Sequence, residues 1–148
     1  DIKFLIAGEI SNNCKEIDKQ ELDKWLNNNI KYLGKSDDML RIYETADVII
    51  HPSYREGLSK TLIEASSMSM PIITTNVPGC KDVVEHNFNG LLVKPKSINE
   101  LKNKIVDIIN MEENKRLEFG RNGRKLALEK FEEQLIIKKY LNKINQIL

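Results

Sequence analysis

The sequence is poor in cysteine and has no long apolar run, and each absence excludes a class of protein. Its two cysteines, Cys14 and Cys80, lie far apart, without a C-x-x-C pair or clustered histidines. The ligand spacings of zinc sites and redox motifs are therefore missing, and we interpret both thiols as structural or incidental. Apolar runs such as residues 48–50 are far shorter than the roughly 20 residues that a membrane-spanning helix needs.

Neither sign of charge dominates the composition. The 148 residues include 23 Lys and Arg against 22 Asp and Glu, which gives a net charge of +1. This balance argues against general affinity for nucleic acid, which needs a strong basic excess or stripe. The local basic run from Lys94 to Lys104 is typical of a solvated face beside a helix. With 41% hydrophobic and 30% charged residues, the chain has the composition of an ordinary globular domain.

The chain begins at Asp1, without an initiator methionine or a signal peptide, and enters a strand-like segment at once. No repeat, low-complexity tract or long linker interrupts the pattern that follows. Isolated thiols fit a reducing compartment. We therefore expect residues 1–148 to be one cytoplasmic domain taken from a longer protein.

Short apolar runs alternate with longer segments of helical period, which is typical of a parallel sheet wrapped by helices. The expected strands cover residues 3–7, 30–33, 47–51, 71–75 and 90–93. The expected helices cover 15–26, 37–44, 59–68 and 80–86, then a helical remainder from residue 97 with breaks near Met111 and Glu132. The predicted fold class is α/β: a Rossmann-like parallel sheet of about five to six strands, with helices on both faces and C-terminal helices.

Apolar spacing within the expected helices predicts which side chains face inward. In the first helix these are Ile17, Leu22, Trp25 and Leu26. In the second they are Met39, Leu40 and Tyr43, with Asp37 near the helix start. The C-terminal stripe is expected to include Leu117, Leu126, Phe131 and Ile137.

Ligands of such sheets bind outside the carboxyl ends of the strands, where loops lead into helices. The segment 51–65 is the most informative of these places, because a strand ends, a loop with Gly57 follows, and a helix begins near Ser59. Ser59 is a good N-cap, and the N–H groups of Lys60 and Thr61 would point out of the helix start. Together with the helix dipole, they form a natural seat for a phosphate or diphosphate.

Glu64 lies about one turn into this expected helix. It could lie on the solvent side, paired with a lysine, or it could accept hydrogen bonds from two adjacent hydroxyls of a ribose. Periodicity alone leaves both readings open.

Glu56 and Glu64 are separated by seven residues in the setting Pro-Ser-x-x-Glu-Gly, followed by Glu-Ala. This pattern resembles the E-x7-E signature of retaining GT-B glycosyltransferases of family 4. The likeness continues through residues 70–84 and 89–93, and upstream through 32–34 and 46–48. It covers nearly the whole chain and identifies it as the donor-binding half of such an enzyme.

The resemblance implies a role for each matching residue. Glu56 would lie in the catalytic site beside the donor sugar, and Glu64 would bind the ribose hydroxyls. The diphosphate would be lined by backbone N–H groups of Gly57, Leu58, Ser59 and Lys60. The turn at Gly34-Lys35 would hold the nucleobase by main-chain contacts.

The loop Gly8-Glu9 corresponds to another donor-binding loop of the family, which often reads Gly-x-Gly. Here Ile10 breaks that pattern and makes the local backbone less permissive. The family needs no metal and no cofactor beyond the nucleotide sugar, and the sequence offers no acidic pair suited to Mg²⁺.

The implied reaction transfers a glycosyl unit from a nucleotide diphosphate sugar to an acceptor hydroxyl, with retention. The closest likeness indicates a UDP-sugar, with galactose or N-acetylgalactosamine types as examples, and surface polysaccharide or lipid-linked oligosaccharide synthesis. The partner is the N-terminal acceptor domain, and the basic pair that neutralises the diphosphate precedes this segment in the family. The fragment is thus expected to bind the donor without transferring sugar. The full enzyme could lie at the inner face of the membrane to reach a membrane-linked acceptor.

Two other functions share this architecture: a sugar-nucleotide epimerase half and a non-catalytic signalling domain. A phospho-acceptor receiver would need an Asp where the third strand ends in His51-Pro52. A glycosidase pair is disfavoured because its two carboxylates must flank one bond. We leave His51 out of the site, because nothing in the sequence places an acid beside it.

Overall fold

A computed structural model describes residues 2–10 and 17–147. Within them the elements follow one another in the order β1 Phe4–Ala7, α1 Lys19–Trp25, β2 Ile30–Gly34, α2 Met39–Glu44, β3 Ile49–His51, α3 Lys60–Ser67, β4 Ile72–Thr75, β5 Gly90–Val93, α4 Ile98–Ile109, α5 Glu113–Lys130 and α6 Glu133–Asn145. The chain divides into two compact units, Asp1–Ala46 and Asp47–Leu148. Cys14 and the expected helix start at Lys15 lie outside the described residues.

In the first unit, β1 pairs with β2 in parallel, from Phe4 opposite Ile30 to Ala7 opposite Gly34. Both helices have side-chain caps, because Asp18 Oδ1 accepts a hydrogen bond from Glu21 N at 2.8 Å and Asp38 Oδ1 accepts one from Arg41 N at 3.3 Å. The N-cap of α2 is Asp38, the neighbour of the Asp37 that the sequence places near the helix start.

The inward-facing residues of this unit are partly as expected. Leu22 and Tyr43 are buried, which confirms one anchor in each helix. Leu40 is exposed, and so are Ile17 and Trp25, so the predicted inward positions of these three are wrong. Helices of only seven and six residues present a narrow stripe, which leaves room for about one fully buried side chain each.

In the second unit, β3, β4 and β5 form a parallel sheet in that order. The central strand β4 is buried at every position, which is typical of a parallel sheet covered on its faces. The core cluster joins this sheet to the C-terminal helices and comprises Ile73, Leu91, Val93, Ile108 and Phe119.

The five strands and the α/β class agree with the sequence analysis, but the strands form two sheets rather than one. Apolar runs identify strands, because each strand must bury its own side chains. They do not identify ladder partners, because pairing depends on contacts between residues that are distant in the chain.

The predicted helix at 80–86 is wrong, because this segment is a series of turns. Helix-like bonds do begin, with Lys81 N donating to Val77 O and Val84 N to Cys80 O. The series stops because Glu85 N donates instead to Asn89 Oδ1 at 2.7 Å. Asn89 is fully buried and also donates to Val83 O at 3.1 Å, so its side chain replaces the next helical turn.

Two glycines let α5 approach α3 closely. A Cβ on Gly120 would lie 2.8 Å from the carbonyl carbon of Ser69 and nearer still to its oxygen. At Gly123 the nearest atom would be Ser66 Cα, at an ordinary 3.6 Å. Ser69 follows α3 with a positive φ of 60°, and its N–H donates to Ser66 O, so its carbonyl is held in place.

The C-terminal helices break where expected, at residues 110–112 and 131–132. Of the predicted stripe, Leu126 is buried, Phe131 is half-buried, and Leu117 and Ile137 are exposed. None of the described residues of α6 is buried. In the described part of the chain, we find no helix with the length and hydrophobicity required to cross a bilayer.

Candidate functional site

The loop between β3 and α3 carries the principal predicted site residues, and β4 fixes its first half. Thr74 Oγ1 donates to His51 O at 2.7 Å, and Thr75 Oγ1 donates to Ser53 O. Both threonines are buried, so these bonds are shielded from water. The backbone that leaves β3 is therefore held at two points by the neighbouring strand.

Glu56 is placed by side chains from the start of the same loop. Ser53 Oγ donates to Glu56 Oε2 at 2.9 Å, and His51 Nε2 lies 3.4 Å from the same oxygen. His51 was left out of the site because the sequence places no acid beside it; the structure does place the Glu56 carboxylate there. The spacing of five residues across a loop follows no helical or strand period, so the sequence contains no regular signal for this contact.

Gly57 rests on Gly79, which lies in the loop after β4. Gly79 has a φ of +82°, and a Cβ there would lie 2.6 Å from Gly57 C and 2.8 Å from Glu56 O. Its N–H donates to Asp82 Oδ2 at 2.9 Å. Glycine at 79 is thus required twice, by its backbone angle and by the close approach of the site loop.

Gly57 and Leu58 themselves face outward. Both residues are exposed, and no atom of the described residues lies within 4 Å of the position that a Cβ on Gly57 would take. The backbone that precedes α3 is therefore accessible to a ligand.

Ser59 occupies the N-cap position of α3, as predicted, but it does not act as a side-chain cap. Its hydroxyl accepts no hydrogen bond from the helix start, and Oγ is buried without a hydrogen-bond partner in residues 2–10 and 17–147. A helix start leaves its first N–H groups without intrahelical partners. Here the usual side-chain acceptor is turned away from them, so an external anion can take its place.

Glu64 is half-exposed and lies one turn from Lys60, whose Nζ is 3.4 Å from Glu64 Oε1. Lysine N-terminal to glutamate is the weaker orientation of such an i,i+4 pair, and the lysine is almost fully exposed. An exposed pair of this kind contributes little to stability. The carboxylate is thus paired in this structure and accessible from solvent.

The predicted residues of the first unit form a separate cluster. Gly8 N donates to Gly34 O at 3.0 Å, and Lys35 Nζ pairs with Glu9 Oε2 at 3.0 Å. Tyr32 donates from its hydroxyl to Gly8 O at 2.7 Å. These contacts bring together the turns that follow β1 and β2, with Gly34 at a φ of 74°.

A small cavity lies at the carboxyl ends of β4 and β5, lined by Tyr54, Thr75, Val93 and Lys96 among others. Lys96 Nζ lies 5.8 Å from the centre of the Tyr54 ring. Neither Glu56 nor Glu64 lines this cavity. Within the described residues there is no group of three His, Cys, Asp or Glu side chains that could hold a metal ion.

Comparison with known proteins identifies relatives of this chain and solved structures with the same fold. CapM of Staphylococcus aureus, a capsular polysaccharide biosynthesis glycosyltransferase, is 34% identical over 137 residues, which are 91% of this chain and 35% of CapM. A crystal structure of a Staphylococcus aureus TarM mutant in complex with fondaparinux, alpha-GlcNAc-glycerol and UDP matches 95% of this chain and 28% of that one. Its TM-score is 0.82 at 31% identity.

Anabaena HepE, crystallised in complex with UDP and glucose, matches with a TM-score of 0.77 at 25% identity. The match covers 85% of this chain and 34% of HepE. The chain spans about a third of the length of the curated relatives it matches. The sequence model described as "Glycosyl transferases group 1" matches residues 1–126. Because that match covers most of the 148 residues, the chain belongs to the glycosyl transferases group 1 family.

Proposed function

We propose that this chain is the donor-binding domain of a retaining glycosyltransferase and binds a nucleotide diphosphate sugar, with UDP as the nucleotide. The observation that carries the proposal is the start of α3. There an accessible loop, an uncapped helix N-terminus and a buried hydroxyl without a partner coincide with the E-x7-E spacing. The UDP present in the TarM and HepE structures supports the choice of nucleotide.

The diphosphate would lie against the backbone N–H groups from Gly57 to Lys60. Gly57 and Leu58 are exposed, so an anion can approach them, and the helix dipole of α3 favours negative charge at this end. The Ser59 hydroxyl is buried and bonds to no described residue, so after rotation toward the helix start it would add a further donor to the diphosphate. Lys60, whose head group is in solvent, adds a positive charge beside the same helix start.

The ribose would be held by Glu64. Its carboxylate is half-exposed, and its ion pair with Lys60 is weak enough to exchange for ribose hydroxyls. As Lys60 leaves Glu64, its charge becomes available to the diphosphate. The two readings of Glu64 that the sequence left open are thus two states of one residue, paired without ligand and bound to ribose with it.

The donor sugar would contact Glu56. For the turn at Gly34 and Lys35 of the first unit, the family resemblance separately implies a nucleobase contact. Glu56 is partly exposed, and one of its oxygens is held by Ser53 and His51. The Gly8-Glu9 loop, tied to Gly34 by a backbone bond, would support the nucleobase turn.

The remaining part of the enzyme would supply the acceptor domain. We propose that the whole protein acts in the synthesis of a surface polysaccharide or lipid-linked oligosaccharide, in the cytoplasm and peripherally at the membrane that carries its acceptor. A galactose- or N-acetylgalactosamine-type donor fits this proposal, and no metal is required. The exposed apolar residues of α6 would contact the acceptor domain.

Because the acceptor site lies elsewhere, the 148-residue chain should transfer no sugar. Turnover of a UDP-sugar by this chain would contradict the proposal.

Calorimetric titration with UDP, UMP, uridine, GDP and ADP tests the binding proposal. We expect UDP to bind more tightly than UMP, because the second phosphate reaches the α3 start, and more tightly than GDP or ADP. Glu64→Gln should weaken UDP binding by roughly 1.5–3 kcal/mol, the range for a charge-assisted hydrogen bond. Its stability without ligand should hardly change, because the pair with Lys60 is exposed.

Glu118→Gln is the matched control, because Glu118 also forms an exposed ion pair within one helix, 2.9 Å from Lys115 Nζ. It should leave UDP affinity unchanged. If Glu64→Gln binds UDP as tightly as the native chain but unfolds at a clearly lower urea concentration, Glu64 is structural and the ribose assignment is wrong.

A further inference from the structure

The two oxygens of Glu56 are in different situations. Oε2 accepts a hydrogen bond from Ser53 Oγ at 2.9 Å and faces His51 Nε2 at 3.4 Å. Within the described part of the chain, Oε1 has no hydrogen-bond partner. The carboxylate is therefore anchored through one oxygen and open through the other.

The anchor continues into the buried sheet. The backbone carbonyls of His51 and Ser53, the residues whose side chains hold Oε2, accept bonds from the hydroxyls of Thr74 and Thr75. Both threonines lie on the fully buried strand β4. A chain of hydrogen bonds thus runs from the core of the sheet through the loop backbone to one atom of a partly exposed carboxylate. Such support restricts the orientation of a functional group before its ligand arrives.

We infer that His51 is a positioning and specificity-determining residue for the donor sugar, an inference that rests on the proposed function. Its ring holds Glu56 Oε2, so that Oε1 is presented to a sugar hydroxyl. In the proposed arrangement, UDP without a sugar does not reach this pair. An ionised carboxylate can only accept hydrogen bonds, so the contact uses the Nε2–H form of the ring. The sugar-dependent part of donor affinity therefore depends on His51, and the nucleotide-dependent part does not.

The test compares UDP with UDP-glucose, UDP-galactose and their two N-acetylated counterparts by calorimetric titration. For each protein the measured quantity is the ratio of UDP-sugar affinity to UDP affinity. The native chain should bind at least one UDP-sugar more tightly than UDP. His51→Leu should reduce that ratio roughly three- to tenfold, the equivalent of one hydrogen bond, with UDP affinity unchanged.

His51→Gln provides rescue, because its amide nitrogen can donate from nearly the same position as Nε2. It should restore most of the ratio lost in His51→Leu. His86→Gln is the matched control: His86, the second of two histidines, accepts a hydrogen bond from Leu92 N outside the loop. This control should leave the ratio unchanged.

Nitrogen-detected NMR of the two histidine rings gives a readout without ligand. Glu56→Gln should shift the His51 ring signals and leave those of His86 in place. If the His51 ring does not respond, or if His51→Leu keeps the native ratio, the inference is overturned. The inference is also overturned if the native chain binds UDP but binds none of the four UDP-sugars more tightly than UDP. Absence of UDP binding by the native chain would refute the proposed function itself.

Discussion

The two glycines of α5 that face α3 allow one sharp prediction about packing. Gly120→Ala and Gly123→Ala make the same chemical change in the same helix, one turn apart. Each should gain up to about 1 kcal/mol from helix propensity, because alanine loses less backbone entropy than glycine on folding. Only the space available to the new methyl group differs between them.

At position 123 the methyl group meets Ser66 Cα at 3.6 Å, which is ordinary van der Waals contact. At position 120 it would overlap the carbonyl of Ser69, with 2.8 Å to the carbon. That carbonyl belongs to a hydrogen-bonded turn in the left-handed region, so relief requires the backbone to shift. Overpacking of this kind costs about 1–3 kcal/mol. Gly123→Ala should therefore be as stable as the native chain or more so, and about 1–3 kcal/mol more stable than Gly120→Ala.

Urea unfolding followed by circular dichroism measures the difference, with equal m-values as the check that both variants lose the same structure. Both positions lie in the second unit, so the comparison does not depend on how the first unit unfolds. Free energies of unfolding that agree within about 0.5 kcal/mol between the two variants would refute the close approach of Gly120 to Ser69. A Gly123→Ala variant as unstable as Gly120→Ala would refute the looser contact at Ser66.

Three further changes test the supports of the site loop. Gly79→Ala should destabilise the second unit by at least about 2 kcal/mol and weaken UDP binding, because the new methyl group combines a positive φ with overlap on Gly57. If Gly79→Ala and Gly57→Ala have the same free energy of unfolding, this reasoning is contradicted. Thr75→Val removes the hydroxyl bonded to Ser53 O and should cost about 1–3 kcal/mol in urea melts, and a neutral result would mean that the carbonyl finds another donor. Asn89→Ala should lower the free energy of unfolding by about 2–4 kcal/mol in thermal and urea experiments, because two backbone groups lose the buried Asn89 side chain as their partner. A loss below about 1 kcal/mol would show that the turn does not depend on Asn89.

The sequence predicts elements better than it predicts contacts. The strand at 90–93 and the breaks between the C-terminal helices follow from apolar period and length, which are local properties. The segment 80–86 misleads because Val83 and Val84 are buried as on a helix, while a side chain several residues later takes the bond that a helix needs. The division into two sheets is not local either, since it depends on ladder pairing.

The same limit applies to the site. Ser59 at the helix start and the proximity of Gly8 to Gly34 could be expected from residue type and strand ends. The contact between His51 and Glu56 could not, because it depends on how an irregular loop folds back on itself. Sequence spacing also could not show that the Ser59 hydroxyl turns away from the helix it begins.

That buried hydroxyl has an evolutionary consequence. A serine that neither caps its helix nor bonds to any described residue lowers the stability of the ligand-free protein, because its desolvation is not compensated. Selection for thermostability alone would replace Ser59 with alanine or glycine, whereas selection for donor affinity would keep it. Laboratory evolution of this chain under heat, without a nucleotide sugar present, should therefore lose this serine early, and addition of UDP during selection should protect it.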